Sequence, residues 1–158
     1  MLKGLSLSRR SVFALVAGAG ILIIGNGRAS QHRIITVHKD PNCSCCTGWA
    51  QHLANADFEV KTVDTANLDA VKQRLGVPPD LAACHTADVD GYAIEGHVPA
   101  SALKRFLDEK PNASGLAVPG MPFGSPGMEG GVPETYTVIQ FGAQGQREYM
   151  RFVGDRPL

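Results

Sequence analysis

Three cysteines packed into one short turn, Asp40-Pro41-Asn42-Cys43-Ser44-Cys45-Cys46, do most to limit what this chain can become. They follow an apolar run, Ile34-Ile35-Thr36-Val37-His38, and open a helical pattern. The run reads as a buried strand ended by Lys39-Asp40-Pro41. A helix over Ser44 to Ala56 sets Cys46, Trp49, Ala50 and Leu53 at i, i+3, i+4 and i+7, on one face. Cys43 and Cys46 have the Cys-x-x-Cys spacing of redox-active thiols on such a turn. Cys45 changes that reading, because a dithiol catalyst needs two sulfurs and a third is a wrong disulfide partner. A soft-metal site gains from each thiolate, and thiolates select Cu(I), Zn or Fe–S over hard cations. The fourth cysteine, Cys84, is followed at once by His85.

The rest of the chain supplies a frame for these residues. Phe58 to Val63 alternates apolar and polar and predicts a second strand. Asn67 can cap a helix whose apolar face is Leu68, Val71 and Leu75, with Gly76 as its stop. Pro78 to Ala83 suits a short helical turn leading to Cys84-His85. Thr86 to Val89 and Tyr92 to Glu95 flank Asp90-Gly91, a strong hairpin signal. Pro99 opens a helix through about Glu109, with Leu103, Phe106 and Leu107 inward. Residues 111–133 read as a Pro/Gly-rich loop, and Tyr136 to Phe141 with Arg147 to Phe152 as a last hairpin. There is no internal repeat.

The predicted order is β-α-β-α-β-β-α, then a loop and an added C-terminal hairpin. That is the thioredoxin-like α/β order, with helices on the faces of a sheet. In that arrangement the segment leading into the third strand packs against the first turn of the first helix. Cys43, Cys45, Cys46, Cys84 and His85 are therefore expected to converge.

Residues 1–29 stand apart as an export signal, leaving residues 30–158 as a single domain. They hold a basic start with Lys3, Arg9 and Arg10, an apolar run from Val12 to Ile24, and small residues near Ala29. Ser8-Arg9-Arg10-Ser11-Val12-Phe13 is similar to a twin-arginine signal. The apolar run is shorter than the ~20 residues a spanning helix needs, so removal is expected, with no stable membrane insertion afterwards. Four of the 15 basic residues and none of the 15 acidic ones lie in this segment, so the remainder is mildly acidic. That balance gives no support to nucleic-acid binding. In an oxidising compartment four cysteines usually form two structural disulfides, but three this close together cannot staple distant parts of a fold.

The mature chain, from residue 34 to about 152, resembles the exported CopG-type copper-resistance proteins, a thioredoxin-like bacterial family. The resemblance rests on Cys43-Ser44-Cys45-Cys46 with Trp49, Leu75-Gly76-Val77-Pro78-Pro79 and Cys84-His85-Thr86. It extends through Gly91-Tyr92-Ala93-Ile94-Glu95-Gly96-His97-Val98-Pro99 and Gly115 to Glu129. It implies a periplasmic copper-binding protein with Cys43, Cys45, Cys46 and Cys84 as ligands. It further implies copper ions as partners, along with other exported copper-handling proteins. True thioredoxins carry a cis-proline before the third strand, where Cys84-His85-Thr86 stands here.

Among the other candidates, His85 and His97 can complete a copper site. His97 can equally serve as a residue that starts the following helix. Met121 and Met128 lie seven apart in a loop with six glycines and five prolines from Pro111 to Pro133. Thioether sulfur is a soft ligand for Cu(I), and a loop this long in a small domain is usually functional or disordered. It is read as a lid over the cysteines, with anchoring of the loop as the competing role of the methionines. Cys43, at the helix N-terminus, is expected to be the most acidic thiol. His52 reads as a solvated helix residue and His32 as part of a tail; His38 receives no role. Copper is expected as Cu(I); thiolates and histidines together can also hold Cu(II), and shared, bridging sulfurs allow more than one ion. The reading is sequestration, transfer or redox cycling of copper, with binding favoured over turnover. Its rival is a thiol–disulfide oxidoreductase using Cys43 and Cys46; a third reading is a Zn or Fe–S site on the four cysteines, which zinc fits less well, since it prefers two separated ligand pairs.

Overall fold

The first strand, β1 (Ile34–Lys39), alternates rather than being buried throughout: Ile35, Val37 and Lys39 point inward while Ile34 is exposed. The computed structural model describes residues 33–158. The segment read as an export signal, and His32, lie outside the described residues. Helix α1 (Ser44–Asn55) buries the predicted face of Cys46, Trp49, Ala50 and Leu53. Strand β2 (Glu59–Asp64) is a mostly exposed edge strand, parallel to β1. Its Glu, Lys and Asp side chains suit an edge that must not pair with another chain.

Asn67 caps helix α2 (Leu68–Leu75), its side chain accepting from Ala70 N at 3.1 Å, and Gly76 ends it at φ 70°. A left-handed residue after a helix is inexpensive only for glycine. The predicted apolar face of α2 is half-buried, and its buried residue is Lys72. A 3-10 turn over Pro79–Leu81 leads to β3 (His85–Val89), which pairs antiparallel with β1 and, across Asp90-Gly91, with β4 (Tyr92–Gly96). Helix α3 (Ala100–Glu109) follows, burying Ala102, Leu103, Phe106 and Leu107.

The loop expected over residues 111–133 contains a strand. β5 (Gly115–Val118) pairs parallel with β4, and all four of its residues are buried. The hairpin β6 (Thr135–Gly142) and β7 (Gly145–Val153) adds antiparallel to β5, and a two-residue β8 (Arg156–Pro157) closes the edge. The result is one mixed eight-stranded sheet in the order β2-β1-β3-β4-β5-β6-β7-β8. Because β5 bridges β4 and β6, the C-terminal hairpin continues the sheet instead of standing apart from it.

One core runs through Ile35, Val37, Trp49, Leu53, Ile94, Val98, Leu103, Phe106 and Phe152. Trp49 ties α1 to the β4–α3 connection, its Nε1 donating to the Val98 carbonyl at 2.8 Å. A buried indole usually needs such a partner. Among the described residues no helix is long and apolar enough to cross a membrane.

Candidate metal centre

The cysteine turn is held by its own backbone and by a buried lysine. Cys43 N–H donates to the Asp40 carbonyl at 3.1 Å, and Asn42 N–H to Asp40 Oδ1 at 2.8 Å. Lys39, 7% exposed, donates from Nζ to the carbonyls of Asp40 and Pro41 at 3.0 and 3.3 Å. Cys43 is the N-cap of α1 and makes no side-chain capping bond. Cys45 and Cys46 lie on the first turn, so all three sulfurs stand at the positive end of the helix dipole.

Cys84 arrives from the segment before β3. Its Sγ lies 4.0 Å from Cys45 Sγ, and Cys45 Sγ lies 3.5 Å from Cys43 Sγ. Cys84 Sγ is also 3.3 Å from His85 Nδ1 and 3.4 Å from His97 Nε2. Two sets of possible ligand atoms result, Cys43/Cys45/Cys46/Cys84 and Cys84/His85/His97, each within 4.8 Å of one another. Cys84 belongs to both. Sulfurs at about 2.3 Å from a tetrahedral ion lie roughly 3.8 Å apart, so the Cys43–Cys45 and Cys45–Cys84 separations are compatible with ligands of one ion once Cys43 and Cys46 are reduced. The donor set, four sulfurs and two imidazoles, is the one a soft metal takes.

Cys43 and Cys46 are joined in a disulfide, with Cα atoms 5.4 Å apart, while Cys45 and Cys84 are free. Cys43, expected as the most acidic thiol, therefore does not titrate in this state. Only reduction would return two more thiolates to the cluster.

The imidazoles are prepared as neutral donors. His85 is fully buried and packed against Trp49, ring centroids 4.4 Å apart, and against His97 at 5.3 Å. Burial above all, then the charges of His97 and Lys72, pushes the His85 pKa down to about 3. Burial likewise pushes His97 down to about 4, against the opposing pull of Glu129 and the Pro126 carbonyl. Among the described residues, Nε2 of His85 and Nδ1 of His97, the nitrogens turned away from Cys84, make no hydrogen bond of good geometry. Burial, followed by the neighbouring Cys45, pushes the Cys84 thiol up to about 12. It is protonated near neutrality, and a metal bound there must displace that proton.

His97, read as either a ligand or a helix-start residue, is fully buried beside Cys84. Gly96 permits this at φ 67°: a Cβ there would lie 2.5 Å from the Val118 carbonyl oxygen. The Pro/Gly-rich segment after β5 lies on the first turns of α1. A Cβ at Gly127 would come within 2.5 Å of the Cys45 carbonyl oxygen and 2.8 Å of Trp49 N. Met128 is half-buried beside Gly127, whereas Met121 is exposed, at φ 48°.

His52 is not simply a solvated helix residue: its Nε2 accepts from Ala100 N at 3.0 Å and so serves the first turn of α3. Sequence reasoning also missed a buried polar group behind Cys84, formed by Lys72, Thr86 and Glu95. Its one sequence signal is a glutamate in Tyr92-Ala93-Ile94-Glu95-Gly96, a strand with an otherwise apolar interior.

Fold and site together define an α/β protein whose sheet and first helix bring four sulfurs and two imidazoles to one point. The family described as "Protein of unknown function, DUF411" matches residues 81–128, the stretch from the 3-10 turn to Met128. No curated protein matches the chain. The solved structure "Copper resistance protein copG- Form 1" is 43% identical, covering 77% of this chain and 98% of its own, with a TM-score of 0.71. Form 2 of the same protein is 45% identical over 74% and 98%, with a TM-score of 0.69. The chain belongs to the family of CopG copper-resistance proteins.

Proposed function

We propose that this protein binds copper outside the cytoplasm and contributes to copper resistance by sequestering, transferring or redox-cycling it. The observation that carries the reading is the convergence of Cys45, Cys84, His85 and His97, with Cys43 and Cys46 beside them. The family's copper-resistance members supply the metal, and the soft donor set supports that choice. A Cys84 sulfur common to both ligand sets favours more than one ion, bridged there. Met121 and Met128 are offered as further thioether ligands from the loop over α1. Residues 1–29 are proposed as a removable export signal, giving a periplasmic domain from residue 30 onward.

The fold reading goes with it. β1 to β4 with α1 to α3 form a thioredoxin-like unit in the sheet order β2-β1-β3-β4, extended by β5 to β8. In that unit the Cys-x-x-Cys turn sits where a dithiol would act, and the Cys43–Cys46 disulfide supports a linked redox role. Closing that disulfide from two thiols releases two electrons and two protons, enough to reduce two Cu(II) to two Cu(I).

The same disulfide favours the second reading, a thiol–disulfide oxidoreductase acting on protein substrates through Cys43 and Cys46. Anaerobic Cu(I) titration against a strong chelator, on reduced and on disulfide-closed protein, separates the two. The copper reading expects tight binding by the reduced form and weaker binding by the closed form. Equal, weak binding by both forms, with disulfide reductase activity intact, would leave the oxidoreductase.

A further inference from the structure

The carboxylate of Glu95 is fully buried in β4 and receives three donors. Lys72 Nζ, from α2, and the backbone N–H of Ala83 both donate to its Oε1, Ala83 at 2.6 Å. Thr86 Oγ1 donates to its Oε2 at 2.7 Å, and Lys72 also donates to Thr86 Oγ1 at 2.9 Å. Ala83 and Thr86 are the two residues that flank Cys84-His85. One carboxylate thus holds both ends of the dipeptide that joins the two ligand sets.

Fold stability alone does not call for this arrangement. Apolar residues of similar volume often replace a buried ion pair with no loss, or with a gain. What the network supplies is a fixed position for the segment that enters β3, where Ala83 and Cys84 precede the strand and His85 and Thr86 open it. Metal ligands are commonly oriented by such outer partners, whose loss typically costs about 10–100-fold in affinity.

Resting on the copper reading above, we infer that Glu95, held by Lys72, is a positioning residue that sets the Cys84 sulfur in ligand geometry. Its action runs through the acceptors it offers to Ala83 N–H and to the Thr86 hydroxyl, one on each flank. The test uses two double variants without the buried charges. K72M/E95Q keeps an acceptor for Ala83, and K72M/E95L removes it. Cu(I) affinity is measured anaerobically on the reduced proteins, each alone and with Cys84→Ser.

K72M/E95Q is expected to bind within a few-fold of wild type and K72M/E95L about 10–100-fold more weakly. With Cys84→Ser the two are expected to be alike, because the effect passes through Cys84. A folded K72M/E95L with wild-type affinity overturns the inference, as does an equal loss in the Cys84→Ser background. Should K72M/E95L not fold, Thr86→Val removes the hold on the other flank. It is expected to weaken Cu(I) only when Cys84 is present, and unchanged affinity overturns the inference. Absence of Cu(I) binding by wild type would instead sink the copper reading itself.

Discussion

Cys45 Sγ lies 4.0 Å from Cys84 Sγ although the two residues are 39 positions apart in the chain. Cys45 is the cysteine that a dithiol catalyst does not need, and its sulfur faces the Cys84 sulfur, while Cys46 Sγ meets the Cys84 carbonyl at 3.8 Å. Replacing it with serine leaves the Cys43–Cys46 disulfide free to form. Cu(I) affinity of the reduced Cys45→Ser protein is expected to fall by at least the roughly 10–100-fold typical of outer-shell losses. Competition titration checks this, and an affinity equal to wild type would remove Cys45 from the site.

Trp49 joins the first helix to the connection that carries His97. It is fully buried, touches His85, and spends its one donor on the Val98 carbonyl. Trp49→Leu opens a cavity and leaves that carbonyl unpaired. Loss of a buried aromatic and one hydrogen bond is expected to cost about 3–5 kcal/mol. Urea unfolding of the metal-free protein measures it; a loss under about 1 kcal/mol would mean that the pocket collapses around the change.

As pH falls through the lowered folded pKa of His52, the first turn of α3 should lose a partner. His52 Nε2 accepts from Ala100 N–H, which only the neutral ring can do. Burial, against Asp155 and Glu129, holds the His52 pKa below 6.5. A lowered folded pKa means that the unfolded chain takes up the proton first. The contribution is therefore complete above about 6.5 and is lost as pH falls through the lower, folded value. Wild type should exceed His52→Ala by about 1 kcal/mol at pH 8, with the gap narrowing as the pH falls below 6.5. A gap independent of pH would assign the effect to packing.

The loop over α1 depends on one glycine. Gly127 sits at φ 88°, where an added Cβ would meet the backbone of Cys45 and Trp49. Gly127→Ala adds both a left-handed strain of roughly 1–2 kcal/mol and a clash with the Cys45 carbonyl. Limited proteolysis within residues 119–134 is expected to speed up while the core unfolding transition persists. Unchanged proteolysis would mean that the loop does not rest on the helix.

Much of this was legible in the sequence, because periodicity and caps act locally. Asn67 and Gly76 mark α2, Asp90-Gly91 marks the β3–β4 hairpin, and the Cys46, Trp49, Ala50, Leu53 stripe marks the buried face of α1. β5 escaped because Gly115-Leu116-Ala117-Val118 is four residues between punctuators, and only its parallel pairing to β4 makes it a strand. The grouping of Cys84 with the cysteine turn followed from element order. Lys72 and Glu95 did not, since charged residues are rarely buried unless paired and their pairing joins α2 to β4, 23 positions apart. His52 escaped for the same reason, its partner being 48 positions away.

Copper K-edge X-ray absorption of the Cu(I)-loaded, reduced protein tests the central claim most directly. The account predicts a mixed shell, dominated by sulfur at about 2.3 Å with nitrogen at about 2.0 Å, and a reduced sulfur contribution in Cys84→Ser. A shell of nitrogen and oxygen alone, or one indifferent to Cys84→Ser, would contradict it.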